Sequence, residues 1–193
     1  MGGILRVERS FGAVMDIAWL LLIYTVPAEP SRKRAFVWRE LKKIGAPYLR
    51  DGVCILPERS DTAELAGTIA AKVEEFGGEA TLVSGARLPA ARSAALVDQF
   101  RAARAEEYQD IARDADQLLA HVAREMEHRE FTYAELEELE ADLGKLRRWT
   151  EQVRARDYFG NEAPQDLRDI LDRCERALGT FLEHAAAQDR AGP

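Results

Sequence analysis

The spacing of apolar and polar residues changes about midway along the chain. In the first half, short apolar runs alternate with amphipathic segments, and the run over 19–26 is typical of a central strand covered on both faces. Pro30 suits the first turn of the helix that follows, and Gly45 is expected to end that helix. Two short strands joined at Asp51-Gly52, a second helix and a last strand come next. The order β-α-β-β-α-β predicts a ferredoxin-like domain.

The second half shows helical spacing throughout and no strand pattern. Apolar residues recur at helical intervals over 90–128. Thr132 with Glu135 three residues later is a capping-box sequence, which predicts the start of a second long helix, and Pro164 predicts the start of a third. Three long amphipathic helices with short connections predict an antiparallel bundle, or a surface that pairs with a second subunit.

These patterns predict an α+β protein with two domains. Residues 15–88 are expected to form the ferredoxin-like domain and 89–193 a three-helix antiparallel helical region, while 1–14 are expected to be a disordered leader before Met15, a candidate natural start. The chain carries a net charge of −7, but residues 1–88 hold 12 Lys and Arg against 11 Asp and Glu (+1), and the remainder hold 15 against 23 (−8). Charge must therefore be interpreted for each domain separately.

Cysteine usage and hydropathy indicate a protein with reduced cysteines and no membrane segment. Cys54 and Cys174 lie in apolar patterns without metal or disulfide spacing, as expected for reduced core residues of a cytoplasmic protein. The apolar stretch over 13–26 is interrupted by Asp16 and is too short to span a bilayer, so no membrane segment is predicted.

The predicted first helix is the strongest candidate for binding chemistry. Its cationic candidates for nucleic-acid or anion binding are Arg32, Lys33, Arg34, Arg39 and Lys43. Phe36 is expected on the same exposed face, and Trp38 at the edge of the buried face. A cationic stripe near a helix N-terminus can hold a phosphate backbone or a small oxyanion. The alternative is a solvated face that pairs with the acidic helical half.

A second cluster, Arg156-Asp157-Tyr158-Phe159-Gly160, lies in the helical half. A buried Arg–Asp pair there would lock the bend between the last two helices. The alternative is a second anion-binding patch, whose members would be Arg147, Arg148, Arg154 and Arg156.

Catalytic and metal-binding patterns are weak throughout the sequence. His121, Glu125 and His128 share a helix face, but the two histidines are spaced more widely than the usual i, i+4 ligand pair. The sequence contains no Gly-rich phosphate loop and no Gly-x-Ser-x-Gly motif. We therefore predict no metal, no cofactor and no enzymatic activity.

A family resemblance rests on several stretches taken together. The run from Trp19 ends in Pro-Ala-Glu-Pro-Ser-Arg-Lys-Arg at Arg34, and further matching stretches are 37–39, 41–46, 51–57, 77–80 and 156–159. Together they resemble the N-terminal region of the ChrB-type chromate-resistance regulators, over roughly 18–185. The resemblance implies regulation of a chromate-efflux operon, with DNA and chromate or another oxyanion as ligands. Longer family members carry a further C-terminal domain. We expect a homodimer.

Two alternatives belong to other functional classes. One is a non-catalytic interaction or oligomerisation module in chromate resistance, whose acidic helices dock a basic partner. The other is a nucleic-acid hydrolase, because the same element order with a basic first helix resembles the small CRISPR-associated nucleases. Those enzymes keep an Asp at the end of the first strand, whereas Tyr24-Thr25-Val26 here contains no carboxylate. The hydrolase is therefore the least favoured of the three functions.

Overall fold

The computed structural model describes residues 17–128, 131–160 and 163–191, and in this part of the chain the fold is mixed α/β. One four-stranded antiparallel sheet and five helices are present in the described residues. The elements are β1 (Trp19–Thr25), α1 (Ser31–Lys43), β2 (Tyr48–Arg50), β3 (Val53–Pro57), α2 (Ser60–Glu75), β4 (Glu79–Ala86), α3 (Ala90–His128), α4 (Tyr133–Ala155) and α5 (Gln165–Ala191). The predicted leader and Met15 lie outside the described residues.

The first strand occupies the interior of the sheet, whose strand order is β2-β3-β1-β4. It pairs antiparallel with β3 and β4, so that Leu22 stands opposite Cys54 on one side and Leu82 on the other. Leu22 is buried, but Ile23, which points to the opposite face, is 42% exposed. The prediction of cover on both faces is therefore wrong for this part of the strand. Antiparallel sheets need cover on only one face, and β1 is antiparallel to both neighbours.

Glycine defines the tight turn between β2 and β3. Gly52 has φ +70°, a left-handed conformation that glycine adopts without strain. Its carbonyl accepts a 2.8 Å hydrogen bond from the Tyr24 N–H of β1. A Cβ atom at position 52 would lie 2.5 Å from the Tyr24 carbonyl oxygen. Glycine at position 52 therefore allows both the tight turn that Asp51-Gly52 predicts and the close approach of this turn to the backbone of β1.

The chain divides into two compact units, one up to Phe100 and one from Arg101, so the division falls within α3. The first turns of α3 pack in the first unit: the Trp19 Nε1–H donates a 3.0 Å hydrogen bond to Ser93 Oγ, and the indole stacks on Phe100 at a centroid distance of 6.2 Å. The predicted boundary after residue 88 stays a prediction. No helix in the described part of the chain combines the length and apolar character that crossing a bilayer requires.

The second unit has its own apolar core, to which the rest of α3 and both later helices contribute. The most deeply buried members are Ile111, Ala115, Leu139, Val153, Cys174 and Phe181. Thr132 caps α4 as predicted, because its hydroxyl accepts a 3.1 Å hydrogen bond from the Glu135 N–H. Side-chain contacts join the later part of α3 to the start of α4 and an earlier part of α3 to the end of α4.

Candidate nucleic-acid and anion interface

The sequence of α1 makes it strongly cationic. Its thirteen residues contain six Lys and Arg and one Glu, which gives a net charge of +5. Val37 and Leu41 are buried and attach the helix to the apolar core. Lys42 and Lys43 lie in the last turn, where positive charge is favourable to the helix dipole, and no acidic residue lies in the first turn. The charge of α1 therefore stands out against a chain whose net charge is −7.

Four of the five predicted cations are exposed, and three of these four are available to a ligand. Arg32, Arg34 and Arg39 are exposed. Within the described residues none of these three has an ion pair or a hydrogen-bonded partner. Each guanidinium keeps all its donors for a ligand, and the planar fork of an arginine fits two oxygens of one phosphate.

The other two predicted cations are engaged by neighbouring groups. Lys33 Nζ donates a 2.9 Å hydrogen bond to the Phe76 carbonyl oxygen and lies 5.7 Å from the centroid of the Phe76 ring. Lys43 forms a 2.6 Å ion pair with Glu40 on the same helix. Lys33 is therefore part of the contact between α1 and the end of α2, and Lys43 would have to exchange its partner to bind a ligand.

The exposure of the two aromatic residues of α1 is the reverse of the prediction. Phe36 is half-buried and packs edge-to-face on Phe76 at a centroid distance of 5.5 Å. Trp38 is 51% exposed, and the Lys42 ammonium lies 5.2 Å from its ring centroid. The predictions for both rings are wrong because α1 packs against α2, which buries the side of the helix that carries Phe36.

The exposed tryptophan and the exposed cations without an ion pair among the described residues form one surface of α1. We name it the α1 basic face, and its members are Arg32, Arg34, Trp38, Arg39 and Lys42. At 100° per residue they cover an arc of about 160° around the helix. Sequence reasoning missed Lys42 and the exposure of Trp38, although Arg34, Trp38 and Lys42 follow the i, i+4, i+8 spacing of one helical row.

The predicted second anion patch is only partly brought together. Arg147 and Arg154 line the same cleft of about 730 Å³ beside α5, and Arg168, which the sequence reasoning missed, also lines it. Arg147 is paired with Glu175 at 2.6 Å, and Arg154 approaches Glu151 at 3.4 Å. These arginines therefore already have carboxylate partners. The other two predicted members of this patch, Arg148 and Arg156, do not line the cleft.

Arg156 belongs instead to a buried ionic network with α3. It pairs with Glu107 at 3.0 Å, not with the neighbouring Asp157, whose carboxylate accepts hydrogen bonds from the Gly160 N–H and the Tyr108 hydroxyl. Glu107 also lies 2.9 Å from Arg104, which is 7% exposed. Burial lowers the pKa of Arg104, opposed by the nearby Glu107 carboxylate. Two arginines share the Glu107 carboxylate, and this network joins α3 to the end of α4.

One group of side chains in the described residues has the composition and proximity to hold a metal ion: His121, Glu125 and Glu135. Only His121 and Glu125 belong to the trio considered from the sequence, because His128 does not join the group and Glu135 comes from α4.

These features define a mixed α/β protein with a cationic helix in its first unit and a helical second unit. Residues 34–191 match the family model described as protein ChrB, N-terminal. The match covers more than half of the chain, so the chain belongs to the ChrB N-terminal family, and the predicted family is confirmed.

One curated relative is protein ChrB of Cupriavidus metallidurans (strain ATCC 43123 / DSM 2839 / NBRC 102507 / CH34). It is 33% identical over 69 residues, which are 36% of this chain and 21% of the relative. The matched part therefore spans about a fifth of that relative's length. No solved structure gives a significant match to the chain.

Proposed function

We propose that this protein is a non-catalytic regulator in chromate resistance that binds DNA through the α1 basic face. The observation that carries the proposal is the set of three exposed arginines, Arg32, Arg34 and Arg39, which have no ion-pair partner among the described residues. Membership of the ChrB N-terminal family supports the connection to chromate resistance, because the sequence resembles the regulators of that family.

The chemistry of the face fits a phosphate backbone. Neutralising phosphates with Arg and Lys releases condensed counterions, and this release supplies most of the sequence-independent affinity for DNA. The whole chain carries −7, so such affinity must come from a local surface, and α1 holds +5 in thirteen residues. Trp38 adds an exposed ring, and aromatic rings of this kind stack on bases where the strands separate.

The start of α1 also supports an oxyanion as the effector. Pro30 provides no side-chain cap, and although the Lys33 N–H donates to the Pro30 carbonyl, the N–H groups of Ser31 and Arg32 keep their donors for an anion. A helix N-terminus with adjacent arginines favours a tetrahedral dianion such as chromate. In this proposal chromate and DNA share part of one surface, and chromate displaces DNA by competition.

We further infer that the first unit is ferredoxin-like and that the second is an antiparallel three-helix region. The element order and the strand order of the antiparallel sheet support the first inference. Contacts such as His121 with Glu135 and Tyr108 with Asp157 support the second, because a later part of α3 meets the start of α4 and an earlier part of α3 meets the segment that follows α4.

The test measures binding of a labelled mixed-sequence DNA duplex by fluorescence anisotropy over a range of salt concentrations. The variant is Arg32→Ala/Arg34→Ala/Arg39→Ala, and the control with the same charge change is Arg113→Ala/Lys145→Ala/Arg176→Ala, which alters exposed residues of the second unit. With about 0.9 ion released per phosphate contact, the α1 variant should lower the salt slope by about 2.7 and the affinity several hundred-fold at about 0.1 M salt.

Both the control and chromate titration have defined outcomes. The control variant should keep the parent slope, and chromate should displace DNA from the parent protein. DNA affinity that falls equally in the two triple variants would show a general charge effect and would contradict the assignment of the α1 basic face. Chromate without effect on parent binding would remove the oxyanion part of the proposal and leave DNA binding in place.

A second candidate function, homodimerisation, is favoured by exposed apolar residues on the sheet. Ile23 and Val83 are 42% and 37% exposed. They share one face, because Val83 pairs with Leu21, two residues before Ile23. Exposed apolar surface of this kind marks association sites. Sedimentation equilibrium of Ile23→Lys, compared with the parent chain, tests it: a parent that is monomeric at all concentrations removes this function.

A further inference from the structure

We propose that His121, Glu125 and Glu135 form a binding site for one divalent first-row transition metal of the Zn²⁺ type. Nε2 of His121 lies 3.2 Å from a carboxylate oxygen of Glu135 and 3.5 Å from one of Glu125. The three ligand atoms all lie within 4.8 Å of one another. The site belongs to the second unit and is separate from the α1 basic face.

The distances fit a common metal ion. Zinc binds imidazole nitrogen and carboxylate oxygen at about 2.0 to 2.2 Å, so two ligands stand about 3.0 Å apart at a right angle and about 3.4 Å apart at the tetrahedral angle. The two measured separations from His121 are 3.2 and 3.5 Å, which is the range that a shared ion requires. Small rotamer changes of the two glutamates would complete the geometry.

The fold holds the three ligands in place from two helices. His121 and Glu125 are four residues apart on α3 and therefore lie on one face of that helix. Glu135 lies in the first turn of α4, where its N–H is fixed by the Thr132 cap. Val122 and Leu136, which directly follow two of the ligands, are buried in the core of the unit. A metal at this point would link α3 to α4.

The charge of the three side chains favours a bound cation. Glu125 and Glu135 have no Lys or Arg partner within the described residues, and their side chains are only 17% and 26% exposed. His121 Nε2 lies at ion-pair distance from both carboxylates, but these contacts are ion pairs only when the imidazole is protonated. Two partly buried carboxylates and one imidazole carry excess negative charge, which a divalent ion would neutralise.

The ligand types also indicate the class of metal and the number of open positions. One nitrogen and two carboxylate oxygens suit Zn²⁺, Mn²⁺ and similar ions, whereas Mg²⁺ prefers an all-oxygen shell. Three protein ligands leave at least one position for water. His121 also lines a cleft of about 520 Å³.

The experiment titrates Zn²⁺ into the full chain by isothermal titration calorimetry after chelator treatment and dialysis. Parent protein should bind one zinc ion per chain and prefer it to Mg²⁺. His121→Gln, Glu125→Gln and Glu135→Gln should each weaken zinc binding by about tenfold or more, since each removes one ligand. The matched controls are His128→Gln and Glu138→Gln, which alter exposed residues of the same two helices and should bind zinc like the parent.

A second measurement keeps the proposal testable if a variant folds poorly. Zinc should shift the Nε2 resonance of His121 in the ¹⁵N-histidine spectrum of the parent and leave that of His128 in place. It should also raise the melting temperature of the parent, because an ion that binds only the folded state stabilises it. Absence of saturable binding, equal binding of Mg²⁺ and Zn²⁺, or parent-like zinc binding by all three ligand variants would overturn the proposal.

Discussion

The hydrogen bond from Trp19 to Ser93 provides a sharp test of how far the first unit extends along the chain. Trp19 is fully buried on β1, and Ser93 in the first turns of α3 is 3% exposed. Their 3.0 Å hydrogen bond joins residues 74 positions apart. Ser93→Ala removes this acceptor with little change in volume, so the indole N–H loses its Ser93 hydrogen bond inside the core. We expect the strands of the first unit, and not only α3, to lose stability.

The size of the effect follows from the burial of both partners. An orphaned buried donor costs about 1 to 3 kcal/mol, whereas removal of both partners costs less than the sum of the two single changes. Trp19→Phe removes the donor, together with part of the ring that stacks on Phe100. In a double-mutant cycle the coupling free energy between the two positions should therefore be about 1 kcal/mol or more.

Native-state hydrogen exchange gives the free energy of opening for each segment of the chain. The measurement compares amides of β1 and β3 in the parent, both single variants, the double variant and Ser84→Ala, which alters an exposed serine of β4 as a control. Additive effects of the two changes, or a loss confined to amides of α3, would refute the conclusion that the first turns of α3 belong to the α/β unit.

Two further predictions concern the sheet. Burial raises the pKa of the Cys54 thiol from 9.0 to about 12, so the unfolded chain loses this proton first, and the free energy of unfolding should fall by about 1.4 kcal/mol per pH unit between pH 9 and 12. Urea unfolding at several pH values measures this slope. The slope should be smaller in Cys54→Ala, and a slope equal to that of the parent would contradict the prediction. Gly52→Ala should destabilise the chain by about 1 to 3 kcal/mol, because a Cβ is strained at the left-handed φ of this position and would meet the Tyr24 carbonyl. Gly67→Ala within α2, where a Cβ has open space, should be neutral or stabilising by urea midpoint, and equal effects at the two positions would contradict the reasoning.

The features that could be predicted from the sequence are those set by near neighbours in the chain. The apolar run of β1, the turn at Gly52 and the cap at Thr132 depend on residues a few positions apart, and all three are present. Helical periodicity also identifies Val37 and Leu41 as buried. Period alone defines one buried side of a helix, however, and cannot show whether a second helix covers another side.

The errors at the site arise from contacts between distant parts of the chain. Phe36 is covered by Phe76, which is 40 positions away, and Arg156 takes its carboxylate from α3 rather than from the next residue. Glu135 of α4 contacts His121 of α3, so residue spacing along one helix could not identify it as a ligand. No spacing rule within one element reports such partners.

The same contacts decide which cations can bind a ligand. Lys33 and Lys43 are as basic in the sequence as Arg34 and Arg39, but one is held by a carbonyl at the end of α2 and the other by a carboxylate on its own helix. A charge that already has a partner contributes less to binding, because the old interaction must be lost before the new one forms. The cations without a partner therefore lie on the side of α1 that faces away from α2, near the row that contains Trp38. A ligand that binds here should approach that side of the helix, where an exposed aromatic ring lies among the cations.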